Sequence, residues 1–157
     1  MKIEFWMIGK TNKSYLKEGI QEYEKRLKRY LPFSIEIIPD VKNAGKMTPG
    51  KLKEKEGQLI LDRLKSDDLL ILLDENGKSF TSETFALEME KVLSQSHRRL
   101  VFQIGGAYGF SENVYLRAQK KLALSKMTFS HQMIRVFFLE QLYRAMTILK
   151  NEPYHNS

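Results

Sequence analysis

Leu122-Ala123-Leu124-Ser125-Lys126-Met127-Thr128-Phe129-Ser130-His131-Gln132-Met133-Ile134-Arg135 is the stretch on which the reading of the whole chain turns. It opens as a short apolar strand and breaks at Ser125 and Lys126. It then enters the longest apolar helix pattern in the protein, residues 130–150. Met133, Ile134, Val136, Phe137, Phe138, Leu139, Leu142, Tyr143, Met146, Ile148 and Leu149 cover almost its whole circumference. A helix that is apolar on nearly every side is buried on nearly every side. One core of this size can hardly cover it, so the second wall is expected to be another copy of the chain.

Polar residues interrupt that helix at His131, Gln132, Arg135, Glu140, Gln141 and Arg144. Glu140 and Arg144 stand at i, i+4, the spacing of an ordinary helix-surface ion pair. The alternative reading is that arginines on a buried, dimer-facing helix are aimed at an anionic ligand, for which the planar guanidinium is suited.

Working outward, the remaining elements alternate in type. Residues 3–8 read as a strand ended by Gly9. Leu16, Ile20, Tyr23, Leu27 and Tyr30 give an amphipathic helix with a basic outer face, stopped by Pro32. A strand over 33–38 ends at Pro39. Thr48-Pro49 has the form of an N-cap followed by proline at the first helical position. The helix behind it is strongly charged in its first half and weakened by Gly57. Leu69-Leu70-Ile71-Leu72-Leu73 is the continuous apolar run of a central parallel strand, and Asp74-Glu75-Asn76-Gly77 reads as a turn after it. A helix over 82–95, a strand over 100–104, a glycine-rich loop and a short helix capped by Ser111 complete the series. The β-α alternation predicts a single α/β domain over 1–157, a mostly parallel sheet flanked by helices.

Composition bounds the function. The chain has 157 residues, 42% of them hydrophobic and 29% charged, as in a soluble globular domain. No apolar run reaches the length of a membrane span. There is no cysteine, hence no disulfide framework and no thiolate metal site. Residues 1–5 pass straight into the first strand pattern, without a signal-peptide layout. These features lead to an expectation of a cytoplasmic protein. The formal charge of +7 favours polyanionic partners, nucleic acid first, with basic clusters around Lys10–Arg29 and Lys42–Lys55.

Ligands of open α/β sheets bind at the carboxyl ends of strands. The loops after Leu73, Ile104 and Leu124 leave such ends and are expected to share one pocket. Gly105-Gly106-Ala107-Tyr108-Gly109 lacks the GxGxxG spacing of a dinucleotide site and is no phosphate loop of the GxxxxGK[ST] kind. It permits close backbone approach to a flat ligand; the plainer alternative is a tight strand-to-helix turn. The histidines, His97, His131 and His155, show no metal-ligand spacing. Tyr154-His155 lies almost at the chain end, where disorder is common, yet an aromatic ring beside an imidazole suits stacking on a base.

Ile104 to Gly109, Leu124 to Arg135, Glu140-Gln141-Leu142-Tyr143-Arg144-Ala145 and Pro153-Tyr154-His155 together resemble the small bacterial pseudouridine N3-methyltransferases of large-subunit ribosomal RNA, members of the SPOUT superfamily of knotted methyltransferases. Gly9-Lys10, Tyr23 to Leu27 and Lys55-Glu56-Gly57 extend the resemblance over the whole chain. It implies a C-terminal deep trefoil knot, a rare exception to unknotted topology. It also implies S-adenosylmethionine as cofactor, held by Leu73, Gly105, Leu124, Ser125, Lys126, Met127, Thr128 and Phe129, a homodimer, and a ribosomal substrate, with no metal. On this reading Arg135 and Arg144 hold RNA phosphate or developing charge. Tyr154 and His155 position the base across the dimer interface, with His155 the candidate proton acceptor. Asn156 and Ser157 stand where the family commonly has a basic residue, which weakens any phosphate contact there. A ribosome-binding factor without turnover and a tRNA methyltransferase are the competing readings.

Overall fold

A computed structural model describes residues 1–156. The chain runs β1 (Lys2–Ile8), α1 (Ser14–Leu27), β2 (Phe33–Ile38), α2 (Pro49–Arg63), β3 (Leu69–Ser79), α3 (Ser82–Leu93), β4 (Arg99–Ile104), α4 (Glu112–Arg117), β5 (Lys120–Ala123) and α5 (Met133–Leu149). The strands form one five-stranded sheet in the order β2-β1-β4-β3-β5. Every pairing is parallel.

Alternation along the strands sorts the side chains onto two faces. Ile3, Phe5 and Met7 of β1, Leu69 and Ile71 of β3, and Leu100 and Phe102 of β4 point to the face covered by α1, α3 and α5. Trp6, Ile8, Leu70, Leu72 and Val101 point the other way, against Ile60 of α2 and Val114 of α4. Helices on both faces are the reason the central strands read as unbroken apolar runs.

After β5 the chain leaves the sheet edge and returns to lay α5 over the sheet centre between α1 and α3. There the Phe138 ring sits 4.8 Å from Phe5 and 4.7 Å from Phe102, centroid to centroid. Burying that one side chain is worth about 1.5–3 kcal/mol. The helix begins at Met133, with the first of its apolar residues and three residues later than the expected start at 130. Ser130 instead caps it: its hydroxyl accepts from the Met133 amide at 3.1 Å and its carbonyl from the Ile134 amide at 3.1 Å.

Two local expectations need correction. Residues 74–77 do not turn the chain back. They belong to β3, which pairs with β5 twice: Leu122 lies opposite Leu73 and again opposite Lys78. The four intervening residues bulge out of register. Gly77 permits this, because a Cβ there would stand 2.7 Å from the Leu122 amide nitrogen. Gly57 is likewise no weak point of an exposed helix. It is buried where α2 crosses α4, and a Cβ would collide with the Ser111 hydroxyl.

The end of the sheet away from the ligand loops is tied by charge. Arg99 donates to Asp68 Oδ1 at 3.0 Å, to Glu4 Oε1 at 3.3 Å and to the Arg63 carbonyl at 3.1 Å. Burial alone would raise the Asp68 carboxyl. Hydrogen bonds from Arg99 and the Lys65 amide, with the charges of Arg99 and Arg117, outweigh it and hold that carboxyl below its ordinary range.

Candidate functional site

The loops after β3, β4 and β5 meet at the carboxyl end of the sheet and enclose a cleft of about 440 Å³. That volume falls within the usual range for small-molecule sites. Leu73, Ile104, Leu122, Leu124 and Ile134 give it an apolar lining. The bulge of β3 supplies a wall of Asp74, Glu75 and Asn76, and the glycine loop supplies Gly105 through Phe110. That loop closes on itself through an antiparallel bridge between Gly106 and Gly109. The segment 124–131 forms the outer rim, where the Ser125 hydroxyl accepts from the Met127 amide at 2.9 Å and rounds off the turn after β5.

Of the residues singled out for a cofactor, Leu73, Gly105, Leu124, Ser125, Met127, Thr128 and Phe129 line this one cleft. Lys126 does not; its side chain is exposed beyond the rim. His131 joins the lining. Sequence reading missed Tyr115 and Asp74. The Tyr115 hydroxyl donates a short hydrogen bond to Asp74 Oδ2, fastening α4 to the bulge. Burial, then that bond, pushes the phenol up to about 12, so it stays a donor. The loop after Leu73 was expected at the pocket, but nothing in the sequence singled out the Asp74–Tyr115 contact within it.

The four residues assigned to substrate and proton separate into two places. Arg135 is 1% exposed. Its guanidinium donates to the carbonyls of Ile8 at 2.8 Å and Gly9 at 2.9 Å and to the Thr11 hydroxyl at 3.0 Å. It therefore fastens α5 to the end of β1, and a phosphate could reach it only by breaking these bonds. This departs from the expected phosphate-holding role, since a helix pattern alone does not say which arginine faces inward.

Arg144, Tyr154 and His155 do come together, on the outer side of α5. Arg144 pairs with Glu140 one turn before it, at 2.5 Å, and its guanidinium carbon lies 4.9 Å from the Tyr154 ring centroid. The Tyr154 hydroxyl donates to Glu140 Oε1 at 3.1 Å and lies 3.4 Å from the Tyr23 hydroxyl of α1. Burial, followed by those partners, raises the Tyr154 hydroxyl well above the ordinary phenol range. His155 Nδ1 is 3.1 Å from Arg144 Nη1, and its Nε2 is 2.9 Å from Glu83 Oε1 at the start of α3. The tail is pinned further back as well, where Tyr30 donates to Glu152 Oε2 at 2.6 Å. The Glu140–Arg144 ion pair expected from the i, i+4 spacing is therefore present, and the second donating edge of Arg144 is turned to His155 of the tail. None of Arg144, Tyr154 and His155 lines the cleft of its own chain.

The outer strip of α5 is apolar yet uncovered. Met133 is 37% and Phe137 39% exposed, and Phe137 packs on the half-exposed Phe129 of the cleft rim, with ring centroids 4.9 Å apart. A second cavity, of about 340 Å³, opens between α3 and β5 and shares only Leu122 with the stretch from Leu122 to Arg135. Among the described residues no three His, Asp or Glu side chains gather as a metal site, and no helix is long and apolar enough to cross a membrane.

Comparison with known proteins agrees with this geometry. Residues 1–155 match the family described as "Predicted SPOUT methyltransferase". A protein of Parabacteroides distasonis named "Ribosomal RNA large subunit methyltransferase H" is 56% identical over 156 residues, covering 99% of each chain. A protein of the same name from Flavobacterium johnsoniae is 54% identical over the same span, again with 99% of each chain covered. Among solved structures, a probable methylase family protein from Haemophilus influenzae aligns with a TM-score of 0.54 at 13% identity. That alignment covers 95% of this chain and 66% of the other, and it speaks for the fold alone. The chain belongs to the SPOUT methyltransferase family.

Proposed function

We propose that this protein transfers the methyl group of S-adenosylmethionine to N3 of a pseudouridine in large-subunit ribosomal RNA, on the assembled ribosome in the cytoplasm, and that it works as a homodimer. The observation that carries the reading is the single cleft at the strand ends, in which seven of the eight residues expected to hold the cofactor converge. The names of the close relatives point to the same substrate class.

The lining fits such a cofactor. Leu73, Leu122, Leu124 and Ile134 offer apolar surface for a flat purine, and Gly105 and Gly106, without side chains, leave their backbone open to it along the cleft. When bound, S-adenosylmethionine supplies a methyl already activated by the sulfonium. The protein's part is then chiefly placement of the acceptor and handling of its proton. Arg144 offers a guanidinium edge to phosphate or to the charge that develops on the acceptor imide. Tyr154 offers a ring face to the base, and His155 an imidazole to the proton. Because these three groups stand outside their own chain's cleft, they serve the cleft of a second copy docked on the exposed Met133–Phe137 strip of α5. The net charge of +7 holds the dimer to the RNA surface.

The test is methyl transfer from labelled S-adenosylmethionine to whole ribosomes, separated subunits, naked ribosomal RNA and bulk tRNA in parallel. Label in large-subunit RNA from whole ribosomes is the expected result. Label in tRNA alone overturns the substrate, and cofactor binding without transfer to any of the four overturns the enzyme in favour of a binding factor.

A further inference from the structure

Glu83 belongs to no motif, stands on a different helix from the residues discussed above, and yet completes their hydrogen-bond chain. It lies in the first turn of α3, two residues after Thr81, which forms a reciprocal capping pair with Thr84. That cap fixes the backbone on which Glu83 is carried. From there its carboxylate reaches 2.9 Å to His155 Nε2.

The tautomer of His155 follows from its two partners. A guanidinium nitrogen can only donate, so His155 Nδ1, facing Arg144 Nη1 at 3.1 Å, must present its lone pair. A carboxylate can only accept, so Nε2 must carry the proton that Glu83 receives. The charged groups facing the ring are Glu83 from α3 and Arg144 from α5, and Glu140 stands behind Arg144 and anchors it through its other nitrogen.

We propose that Glu83 is the positioning residue of the proton-accepting histidine: it fixes His155 as the Nε2–H tautomer, aims Nδ1 at the place Arg144 now fills, and balances the imidazolium that forms when Nδ1 takes a proton. This inference rests on the proposed methyl transfer. When an RNA phosphate draws Arg144 Nη1 aside, the Nδ1 lone pair is exposed while Glu83 keeps the ring in place. The acceptor N3–H bond then breaks, and its proton goes to Nδ1. The electron pair left on N3 forms the bond to the methyl carbon, whose old bond breaks with its pair remaining on sulfur. A neutral imidazole and a sulfonium become an imidazolium and a thioether, so charge balances. The logic is that of a carboxylate orienting a histidine base in a hydrolase triad.

Two measurements on the full-length protein test this. The first is nitrogen-15 NMR of the imidazoles, with the His155 signals assigned by their loss in His155→Asn. The wild type should show one protonated and one unprotonated ring nitrogen and a slowly exchanging Nε2 proton. In Glu83→Ala that proton signal should vanish and the two nitrogen shifts should draw together; in Glu83→Gln, which keeps an acceptor, the signal should persist. The second is turnover. In Glu83→Ala, kcat should fall about tenfold or more with the S-adenosylmethionine Kd unchanged, and Glu83→Gln should fall between it and the wild type. An unprotonated Nε2 in the wild type, spectra indifferent to Glu83→Ala, or an unchanged kcat in that variant overturns the proposal. If instead the spectra respond as expected while His155→Asn retains full activity, the positioning contact stands and the role of His155 as proton acceptor falls.

Discussion

At the scale of single residues, two arginines on one helix have opposite fates. Arg135 and Arg144 lie nine positions apart on α5 and look alike in sequence. One is sealed among backbone carbonyls, and the other is held at the surface by Glu140. Burial lowers the Arg135 guanidinium from its ordinary range, the Asp40 charge acting the other way. Removing this side chain would leave the Ile8 and Gly9 carbonyls and the Thr11 hydroxyl without their donor inside the protein. Each orphaned buried group costs about 1–3 kcal/mol. Arg135→Ala should therefore lower unfolding stability by several kcal/mol in urea titration, with cofactor affinity falling only as the folded fraction falls. A fully stable Arg135→Ala that loses RNA binding would restore the phosphate-holding role read from the sequence. The residues of the cleft were legible for a physical reason: strand ends in a parallel sheet converge, so the loops after Leu73, Ile104 and Leu124 had to meet. Lys126 alone of the eight does not line the cleft, because loop membership does not fix which way a side chain points.

At the scale of elements, glycine decides two outcomes that propensity alone reads wrongly. In α2, Gly57 looks like a weak spot, since alanine in an exposed helix interior is favoured by about 1 kcal/mol. The structure reverses the sign. The Ser111 side chain occupies the space a Cβ would need, and Val114 is the next neighbour, at 3.1 Å from it. Gly57→Ala should destabilise the protein by about 1–3 kcal/mol, the usual cost of overpacking. Removing the Ser111 hydroxyl in the double variant Gly57→Ala, Ser111→Ala should recover part of that loss. Thermal unfolding of the wild type, the two single variants and the double variant reads the coupling directly, and a stabilised Gly57→Ala would show that α2 and α4 separate readily. In β3, Asp74 to Gly77 have the composition of a turn. They bulge instead, because β5 pairs on both sides of them and holds the strand straight. Local composition cannot register a partner strand more than forty residues downstream, and that is why the loop after Leu73 read as a turn and not as a bulge within β3.

At the scale of the whole molecule, periodicity gave the element types and their parallel pairing, but not the strand order β2-β1-β4-β3-β5 or the return of the chain from the edge strand to the centre of the sheet. It did give the mismatch between an all-apolar helix and a core too small to cover it, and the exposed Met133, Phe137 and Phe129 are that mismatch in three dimensions. A two-fold interface on this strip places the same surface on both copies. Each dimer would then hold two sites, each pairing one chain's cleft with the other chain's Arg144, Tyr154 and His155. This arrangement can be tested by subunit mixing. Thr128→Trp obstructs the cleft rim without touching the tail, and His155→Ala spoils the tail without touching the cleft. Each variant alone should be inactive as a homodimer. Unfolded together and refolded, half of the dimers are mixed, and in each mixed dimer one site combines the intact cleft of one chain with the intact tail of the other. Activity should return to about a quarter of the wild-type value, the share that two-fold symmetry dictates. If cleft and tail of one chain served the same site, no mixed dimer would hold an intact pair, and activity would stay at the background of the separate variants.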